Sequence, residues 1–303
     1  MGAGTCPRSH TADRLGTEKN MELREAIGRR RSVRYLLPHK PVERDKIQRM
    51  LEAARLASFW GNVQALKAVV IERATAPQEI LDAIPAGSAL AGYQLRLAPV
   101  LIAWYVDWSL VEQQPERLHE LITAGAIGVD QAESHRYLDE TLIPFFRAGM
   151  EAMKAGGLTE MDCGQGIAQA TLMAFEQGLG TCLIGVPAQR KLKRALGLPA
   201  DSKILVVQTV GYPAESPEAG GQRPRLPFEE KFFLNRVGQA FPRDPEILES
   251  LKRDKMIQSS APAPWRRAEL AYLARALEIP PIFGEEITEM TENIMKEMME
   301  PES

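Results

Sequence analysis

Apolar residues along the chain follow two spacings, one typical of strands and one typical of helices. Three segments rich in β-branched and other apolar residues predict strands at 67–72, 99–107 and 203–210, because such side chains suit a pleated, half-buried surface. The segment 99–107 is almost continuously apolar, which predicts a strand buried on both faces. Together with the short apolar segment 181–185, the pattern predicts a sheet of four or five strands.

Segments with helical spacing lie between these strands. Residues 21–29 predict a first helix, and residues 41–57 predict a second one that buries Ile47 and Met50. A longer helix is predicted to begin at Asp162 and to end at a glycine-rich turn. Further helices are predicted at 77–84, 115–154 and 187–196. Because helices alternate with few strands, the fold is predicted to be α+β or α/β, with helices covering a mixed sheet.

The two ends of the chain differ from its middle. Residues 1–20 are rich in small, polar and charged residues, which predicts a disordered leader. Residues 21–240 form the predicted main domain, and residues 241–303 a helical C-terminal extension. Isolated helices of this length are marginal in water, so their apolar stripes must be buried on the main domain, on a partner subunit or on another target. The stripes are Leu270, Leu273 and Leu277, then Ile287, Met290, Ile294 and Met298.

Composition narrows the class of protein. The 303 residues include 45% hydrophobic and 25% charged residues, which is ordinary for a globular protein. A net charge of −3 argues against nucleic-acid binding, and the longest strongly apolar run, Val100–Val106, is too short to span a membrane. Three cysteines offer no disulfide framework, so the expected compartment is the reducing cytoplasm.

A short arginine-rich segment is the most distinctive chemical feature of the sequence. Four arginines and one serine lie within residues 28–35, at the end of the first predicted helix; we call residues 30–34 the arginine turn. Guanidinium groups are planar donors that match phosphate oxygens in pairs. The turn therefore predicts a phosphate clamp, although a basic run can equally be a solvated face or a non-specific anion patch.

Several common catalytic motifs are missing from the sequence. It contains no GxxxxGK[ST] or GxGxxG phosphate-binding pattern, no GxSxG nucleophile pattern and no histidine pair at metal-binding spacing. No metal site is therefore predicted. A phosphate clamp without a visible nucleophile indicates that a bound cofactor carries the chemistry.

Four stretches, in this order, resemble the FMN-dependent nitroreductase superfamily over roughly residues 21–235. They are 30–34 (RRSVR), 58–64 (SFWGNVQ), the helix from Asp162 with 178–185 (GLGTCLIG), and 211–215 (GYPAE) followed by 223–227 (RPRLP). The resemblance implies an α+β fold with a mixed, mainly antiparallel sheet of four to five strands flanked by helices. It also implies a homodimer with two flavins at the interface, each held by both chains.

The resemblance also assigns cofactor-binding residues, each by its position in a matching motif. The contacts implied for the FMN phosphate and ribityl chain are Arg30, Arg31, Ser32, Arg34, Arg223 and Arg225. The contacts implied for the flavin ring are Ser58, Phe59, Asn62, Gln64, Leu183, Ile184 and Gly185. One departure is that Ala65 and Leu66 stand where many members have Pro-Trp.

The activity implied by the resemblance is electron transfer from NADH or NADPH to a small nitroaromatic or quinone-like acceptor, by a ping-pong mechanism. Flavin N5 would carry the chemistry, with no catalytic side chain of the protein. Two alternatives remain open. One is a flavoenzyme of the same fold with other redox chemistry, such as a dehydrogenase or a reductive dehalogenase. The other is a non-enzymatic flavin-binding protein that holds a partner with its C-terminal helices.

Overall fold

The computed structural model describes residues 21–84, 92–186, 188–279, 291–292, 295–296 and 299. Its strands are β1 (Leu66–Glu72), β2 (Val100–Val106), β3 (Gly180–Ile184) and β4 (Lys203–Gly211). Its α-helices are α1 (Leu23–Arg29), α2 (Arg44–Arg55), α3 (Gln78–Ala83), α4 (Gly92–Leu97), α5 (Trp108–Glu112), α6 (Gln114–Thr123), α7 (Gln131–Tyr137), α8 (Ile143–Ala155), α9 (Leu158–Glu176), α10 (Arg190–Ala195), α11 (Pro245–Arg253) and α12 (Arg266–Ala276). Within the described ranges, no helix has both the length and the apolar character needed to cross a membrane.

Parts of the sequence-based prediction lie outside the described residues. The predicted leader, residues 1–20, is one of them, and residue 187 is another. The helix predicted to begin at residue 187 begins at Arg190, because residues 188 and 189 are not helical. The apolar stripe of the last predicted helix is a third, namely Ile287, Met290, Ile294 and Met298. These predictions stay predictions.

A four-stranded sheet lies at the centre of the fold, in the order β1-β2-β4-β3. β1 pairs with β2 from Leu66 opposite Val106 to Glu72 opposite Val100. β4 pairs with β2 on one side and with β3 on the other, and each of these ladders is antiparallel. The predicted α+β class and number of strands are thereby confirmed, with β2 and β4 as the inner strands.

Strand β2 is buried along its whole length, as predicted. Its side chains alternate between two cores, because successive side chains of a strand point to opposite faces. Leu101, Ala103 and Tyr105 pack in a core covered by α3 and α10. Ile102 and Trp104 pack in the other core, which is covered by α2 and α9. The sheet therefore lies between two helical layers.

Helix α9 begins at Leu158, so the predicted start at Asp162 is wrong. Asp162 does not cap this helix; its Oδ2 atom accepts a hydrogen bond from the backbone N–H of Trp60 at 2.6 Å. Gly157, with a φ of 73°, precedes the first helical residue instead. The buried residues of α9 do include the predicted inner face, namely Ile167, Ala170, Thr171 and Ala174.

The C-terminal extension contributes α11 and α12, and α12 packs on its own chain. Leu273 of α12 is 3% exposed and lies in one cluster with Tyr35 and Tyr93. Leu270 and Leu277 pack against the same cluster. Of the predicted destinations for this apolar stripe, the main domain is therefore the one that the structure supports.

Gly28 brings α1 into contact with the extension, which leads to a first prediction. A Cβ atom added at residue 28 would lie 2.2 Å from the carbonyl oxygen of Lys255 and 2.3 Å from Cα of Met256. Both are backbone atoms, so neither can rotate away. We expect Gly28→Ala to lower the free energy of unfolding by about 1–3 kcal/mol, the usual cost of overpacking, measured as a lower midpoint of thermal denaturation.

Gly149 in α8 offers a matched control. A Cβ atom added there meets nothing within 4 Å among the described residues. Gly149→Ala should be neutral, or should stabilise the protein by up to about 1 kcal/mol through helix propensity. Equal midpoints for the two variants would contradict the close contact between α1 and the extension.

Candidate functional site

The arginine turn lies beside the edge strand of the sheet. Ser32 forms a parallel bridge with Thr181 of β3, and the N–H of Val33 donates to the Thr181 carbonyl at 2.9 Å. Further along, the N–H of Leu37 donates to the carbonyl of Tyr212 at 2.9 Å. The turn is thereby tied both to β3 and to the segment that follows β4.

A cleft of about 690 Å³ opens beside the arginine turn. Its lining comes from segments that are far apart in sequence, namely 27–32, 222–232 and 256–260, with Arg243. We call it the arginine cleft, because its cationic side chains are Arg30, Arg31, Arg223, Arg225, Lys231 and Arg243. Among the described residues, no carboxylate lines it. A concave surface of one charge sign attracts the opposite charge, so the cleft is suited to an anion.

Several of these arginines repel one another, which makes the charged form of each less favourable. Burial lowers the pKa of Arg30, and the neighbouring Arg225 lowers it further. Burial also lowers the pKa of Arg223, and the positive charges of Arg34 and Arg266 add to that effect. Over the described part of the chain, the Arg30 guanidinium has no hydrogen-bond acceptor or ion-pair partner. A bound anion would relieve the repulsion and accept charge-assisted hydrogen bonds.

Arg31 and Arg34, two further predicted phosphate contacts, have different surroundings. Arg31 is 5% exposed, and its guanidinium donates to the carbonyls of Gly28, Arg30 and Gly221 and to Oε1 of Gln258. These hydrogen bonds therefore link the three segments that form the walls of the cleft. Arg34 donates from Nη1 to the Ser32 carbonyl at 3.3 Å and lies outside the cleft lining.

Residues 58–64, which we call the aromatic loop, have an unusual backbone. Gly61, Asn62 and Gln64 have φ values of 52°, 55° and 50°. This left-handed region is costly for residues other than glycine. Such strain persists only where the surrounding structure holds it, and it is common at binding sites.

Helix α9 supplies the groups that hold the aromatic loop. The backbone N–H of Trp60 donates to Asp162, and its indole Nε1–H donates to Oγ1 of Thr159 at 3.1 Å. Sequence reasoning missed both partners, since Asp162 was assigned to a helix start and Thr159 to the residues before it. The only signal in the sequence for the first of them is an acidic residue among the small and apolar residues of the predicted helix, and its distant partner leaves no local pattern.

The side chains of the aromatic loop lie apart from the arginine cleft. Ser58 and Gln64 are exposed, while Phe59 and Asn62 are half-buried. Phe59 and Gln64 line a separate cavity of about 240 Å³. Among the described residues that line the arginine cleft, none belongs to this loop. One chain thus presents the arginine cleft and the ring contacts predicted in the aromatic loop on two separate surfaces.

The predicted ring contacts at residues 183–185 alternate in exposure. Leu183 is 43% exposed, and Ile184 is 4% exposed. Gly185 is exposed. Because side chains of a strand alternate between faces, Ile184 packs in the core while its two neighbours remain at the surface.

The arginine cleft also includes residues to which the sequence analysis assigned no cofactor contact. They are Ile27, Gln222, Leu226, Pro227, Phe228, Lys231, Phe232, Arg243, Met256, Ile257, Gln258 and Ser260. Lys231 and Arg243 carry charge close in sequence to the arginine pair at 223 and 225, which is a signal that could have been used. Residues 256–260 carry no such signal, since they reach the cleft only through the packing of the extension.

Solved structures with the same fold share little sequence identity with this chain. A nitroreductase family protein from Streptococcus pneumoniae TIGR4 is 22% identical, with a TM-score of 0.54, over 70% of this chain and 98% of its own. A protein described as a candidate nitroreductase from Exiguobacterium sibiricum 255-15, in complex with FMN, is 20% identical, with a TM-score of 0.58, over 71% of this chain and 98% of its own. NfrA1 from B. megaterium is 19% identical, with a TM-score of 0.50, over 89% of this chain and 97% of its own.

The family follows from the sequence itself. At the identities above, likeness to solved structures shows the fold alone, and no match was found among curated proteins. Residues 27–212 match the sequence model of the Nitroreductase family. This range holds the arginine turn, the aromatic loop and the four strands of the sheet. Because the match covers more than half of the chain, the protein belongs to the Nitroreductase family.

Proposed function

We propose that this protein is an FMN-dependent oxidoreductase that passes electrons from NADH or NADPH to a small organic acceptor. One observation carries the proposal: Arg30, Arg223 and Arg225 converge on a cleft that no carboxylate lines within the described residues. FMN ends in a phosphate dianion, which suits such a cleft. Family membership, and a fold shared with a structure that holds FMN, agree with this cofactor.

Residues of the arginine cleft would hold the phosphate end of FMN. Arg30, whose guanidinium has no acceptor over the described part of the chain, would donate to phosphate oxygens together with Arg223 and Arg225. Ser32, which lines the same cleft, would add a hydroxyl donor. Bound FMN supplies hydride and electron transfer at its ring, chemistry that amino-acid side chains do not provide.

The flavin ring would lie against the aromatic loop and the end of β3. Ser58, Asn62 and Gln64 can exchange hydrogen bonds with its polar edge. Leu183 and Gly185 leave the end of β3 accessible at the surface. Because β3 is bridged to the arginine turn of its own chain, whereas the aromatic loop does not line the arginine cleft, we propose that the loop comes from the partner subunit of a homodimer.

Exposed apolar side chains support this homodimer. Ile27, Leu226 and Phe232, at the arginine cleft, are 45%, 66% and 50% exposed. Met161, next to the residue that anchors the aromatic loop, is 61% exposed. Apolar surface of this kind marks an interaction site, and a second copy of the chain would cover it.

The proposed order of binding is ping-pong, in which NAD(P)H and the acceptor use the same place in turn. The proposed acceptor class is nitroaromatic or quinone-like, since flat conjugated molecules can lie against a flavin ring. No side chain of the protein is assigned as an acid or base. We place acceptor selectivity in the helical region 110–157, where Phe145 is 69% exposed.

The alternatives differ in what they require of the extension and of the acceptor. A non-enzymatic protein that binds a partner through its C-terminal helices would need them unoccupied, whereas α12 buries Leu273 on its own chain. A dehydrogenase or a reductive dehalogenase of the same fold would keep the same phosphate site. Acceptor assays with reduced protein would distinguish these from the proposed activity.

The proposed function also suggests how the chain is divided into a domain and an extension, and where the protein is found. Residues 21–240 would form the flavin-binding domain, and residues 241–303 an extension that completes it. The cytoplasm remains the proposed compartment, because the composition includes only three cysteines.

A spectrum of the purified protein is the direct test of the function. We expect flavin absorbance bands, either as purified or after incubation with FMN, and we expect anaerobic NADPH or NADH to bleach them. Flavin bands that persist with both nucleotides would contradict the oxidoreductase proposal. Absence of bound flavin after incubation with FMN would overturn the cofactor assignment as well.

Arg30→Ala tests the phosphate contact. A charge-assisted hydrogen bond contributes about 1.5–3 kcal/mol, so we expect FMN affinity to fall by roughly 10- to 150-fold, measured by fluorescence titration. Arg194→Ala removes an exposed arginine of α10 and should leave the affinity unchanged. Equal affinities of the Arg30 and Arg194 variants would show that Arg30 does not contact the cofactor.

Mixed dimers test whether each site is built from two chains. One chain would carry Arg30→Ala, and the other Asn62→Ala with Gln64→Ala, with two different affinity tags so that only mixed dimers are purified. If the arginine cleft and the aromatic loop of one site come from different chains, each mixed dimer should hold one site of parental affinity and one that is doubly impaired. Two sites that both have reduced affinity, or a monomeric protein, would refute the shared site.

A further inference from the structure

A buried carboxylate, that of Glu215, lies behind the arginine turn. Its side chain is 0% exposed. Its Oε1 atom accepts hydrogen bonds from the backbone N–H of Arg34 at 2.5 Å and from that of Tyr35 at 3.1 Å. These are the N–H groups of the last residue of the arginine turn and of the residue after it, so the carboxylate fixes the backbone at the end of the turn.

The cation that pairs with this carboxylate comes from the C-terminal extension. Nη2 of Arg266, the first residue of α12, lies 2.6 Å from Oε2 of Glu215. Nη1 of the same guanidinium lies 2.6 Å from Oε2 of Glu269, and the N–H of Ser216 donates to the other oxygen of Glu269. The side chain of Arg266 also packs against Gly220, because a Cβ atom added at Gly220 would lie 2.9 Å from Cδ of Arg266. The guanidinium is thus held on several sides.

The ion pair between Arg266 and Glu215 matters for stability because both charges are buried. A carboxylate removed from water is costly unless a cation and hydrogen bonds compensate it. Breaking a buried ion pair by removing one partner leaves such an uncompensated charge. Without Arg266, the Glu215 carboxylate would have to move toward water or toward Arg223, whose charge also interacts with it. Either change alters the acceptor that holds the N–H groups of Arg34 and Tyr35.

We propose that Arg266 is a positioning residue for the phosphate end of the cofactor site, acting through Glu215 on the arginine turn. The inference rests on the proposed FMN function and extends it to the C-terminal extension. Arg266 itself lies outside the lining of the cleft. Because Arg266 acts on the arginine turn through Glu215, and not on the aromatic loop, we expect its effect on binding to depend on the phosphate group.

FMN and riboflavin differ only in the phosphate, and this difference provides the test. Affinities for both are measured by fluorescence titration of the full-length protein and of Arg266→Gln. We expect the variant to bind FMN about tenfold more weakly, the size expected when a charge-assisted hydrogen-bond network is disturbed, and to bind riboflavin as the parent does. Equal weakening of both ligands, or no change in either, would overturn the inference.

Arg267 provides the matched control, because it is the next residue along the chain and is exposed. Arg267→Gln removes the same charge and should leave the ratio of FMN to riboflavin affinity unchanged. A ratio that falls as far as in Arg266→Gln would show that long-range charge, and not position, is responsible. That result would also overturn the inference.

A double variant tests the route through Glu215. Glu215→Gln combined with Arg266→Gln restores the net charge and leaves an amide oxygen that can still accept from the two N–H groups. We expect it to recover FMN affinity relative to Arg266→Gln alone. Additive losses would show that Arg266 acts without Glu215.

Arg266→Lys takes the place of Arg266→Gln if the latter does not fold. Lysine keeps the charge but lacks the planar fork that contacts both carboxylates, so the ratio of affinities should still fall, by a smaller factor. An unchanged ratio would overturn the inference. A parent protein that binds riboflavin and FMN equally would instead refute the phosphate site on which the proposed function depends.

Discussion

Mutual repulsion among the cations of the arginine cleft is the constraint that the rest of the structure must satisfy. Arg30 and Arg223 have lowered pKa values because burial and neighbouring arginines disfavour their charges. The scaffold nevertheless holds them close, by tying Val33 to β3 and by surrounding the sheet with two helical cores. Close-packed interiors yield little to strain. The arginines therefore cannot move apart, and a bound anion is what would relieve their repulsion.

The aromatic loop is also held in an unfavourable state by the surrounding structure, but there the unfavourable feature is its backbone conformation. Asn62 and Gln64 keep positive φ values because Trp60 is fixed to α9 by Asp162 and Thr159. Helix α9 in turn is held by its buried inner face against the sheet. Charge strain at the arginine cleft and backbone strain at the loop thus both depend on the central sheet, although they lie on separate surfaces of one chain.

Local patterns predicted the helices and strands well. The start of α9 was predicted wrongly because the side chain of Asp162 bonds to a segment that is distant in sequence. The continuous apolar run of β2 implied burial on both faces, and its residues do alternate between two cores. The helical spacing of Ile167, Ala170 and Ala174 implied the inner face of α9. Asp162 was misassigned because an acidic residue near a helix start resembles a cap, whereas its partner is a backbone N–H in another segment.

The sequence alone determined which segments become strands or helices, and which residues carry the charge needed for a phosphate. Both depend on spacing and chemistry within a few neighbouring residues. The tertiary structure decided the rest. It turned the donors of Arg31 toward carbonyls, brought residues 256–260 to the wall of the cleft and set Arg266 against Glu215. These outcomes depend on how distant segments pack against one another, which no local pattern records.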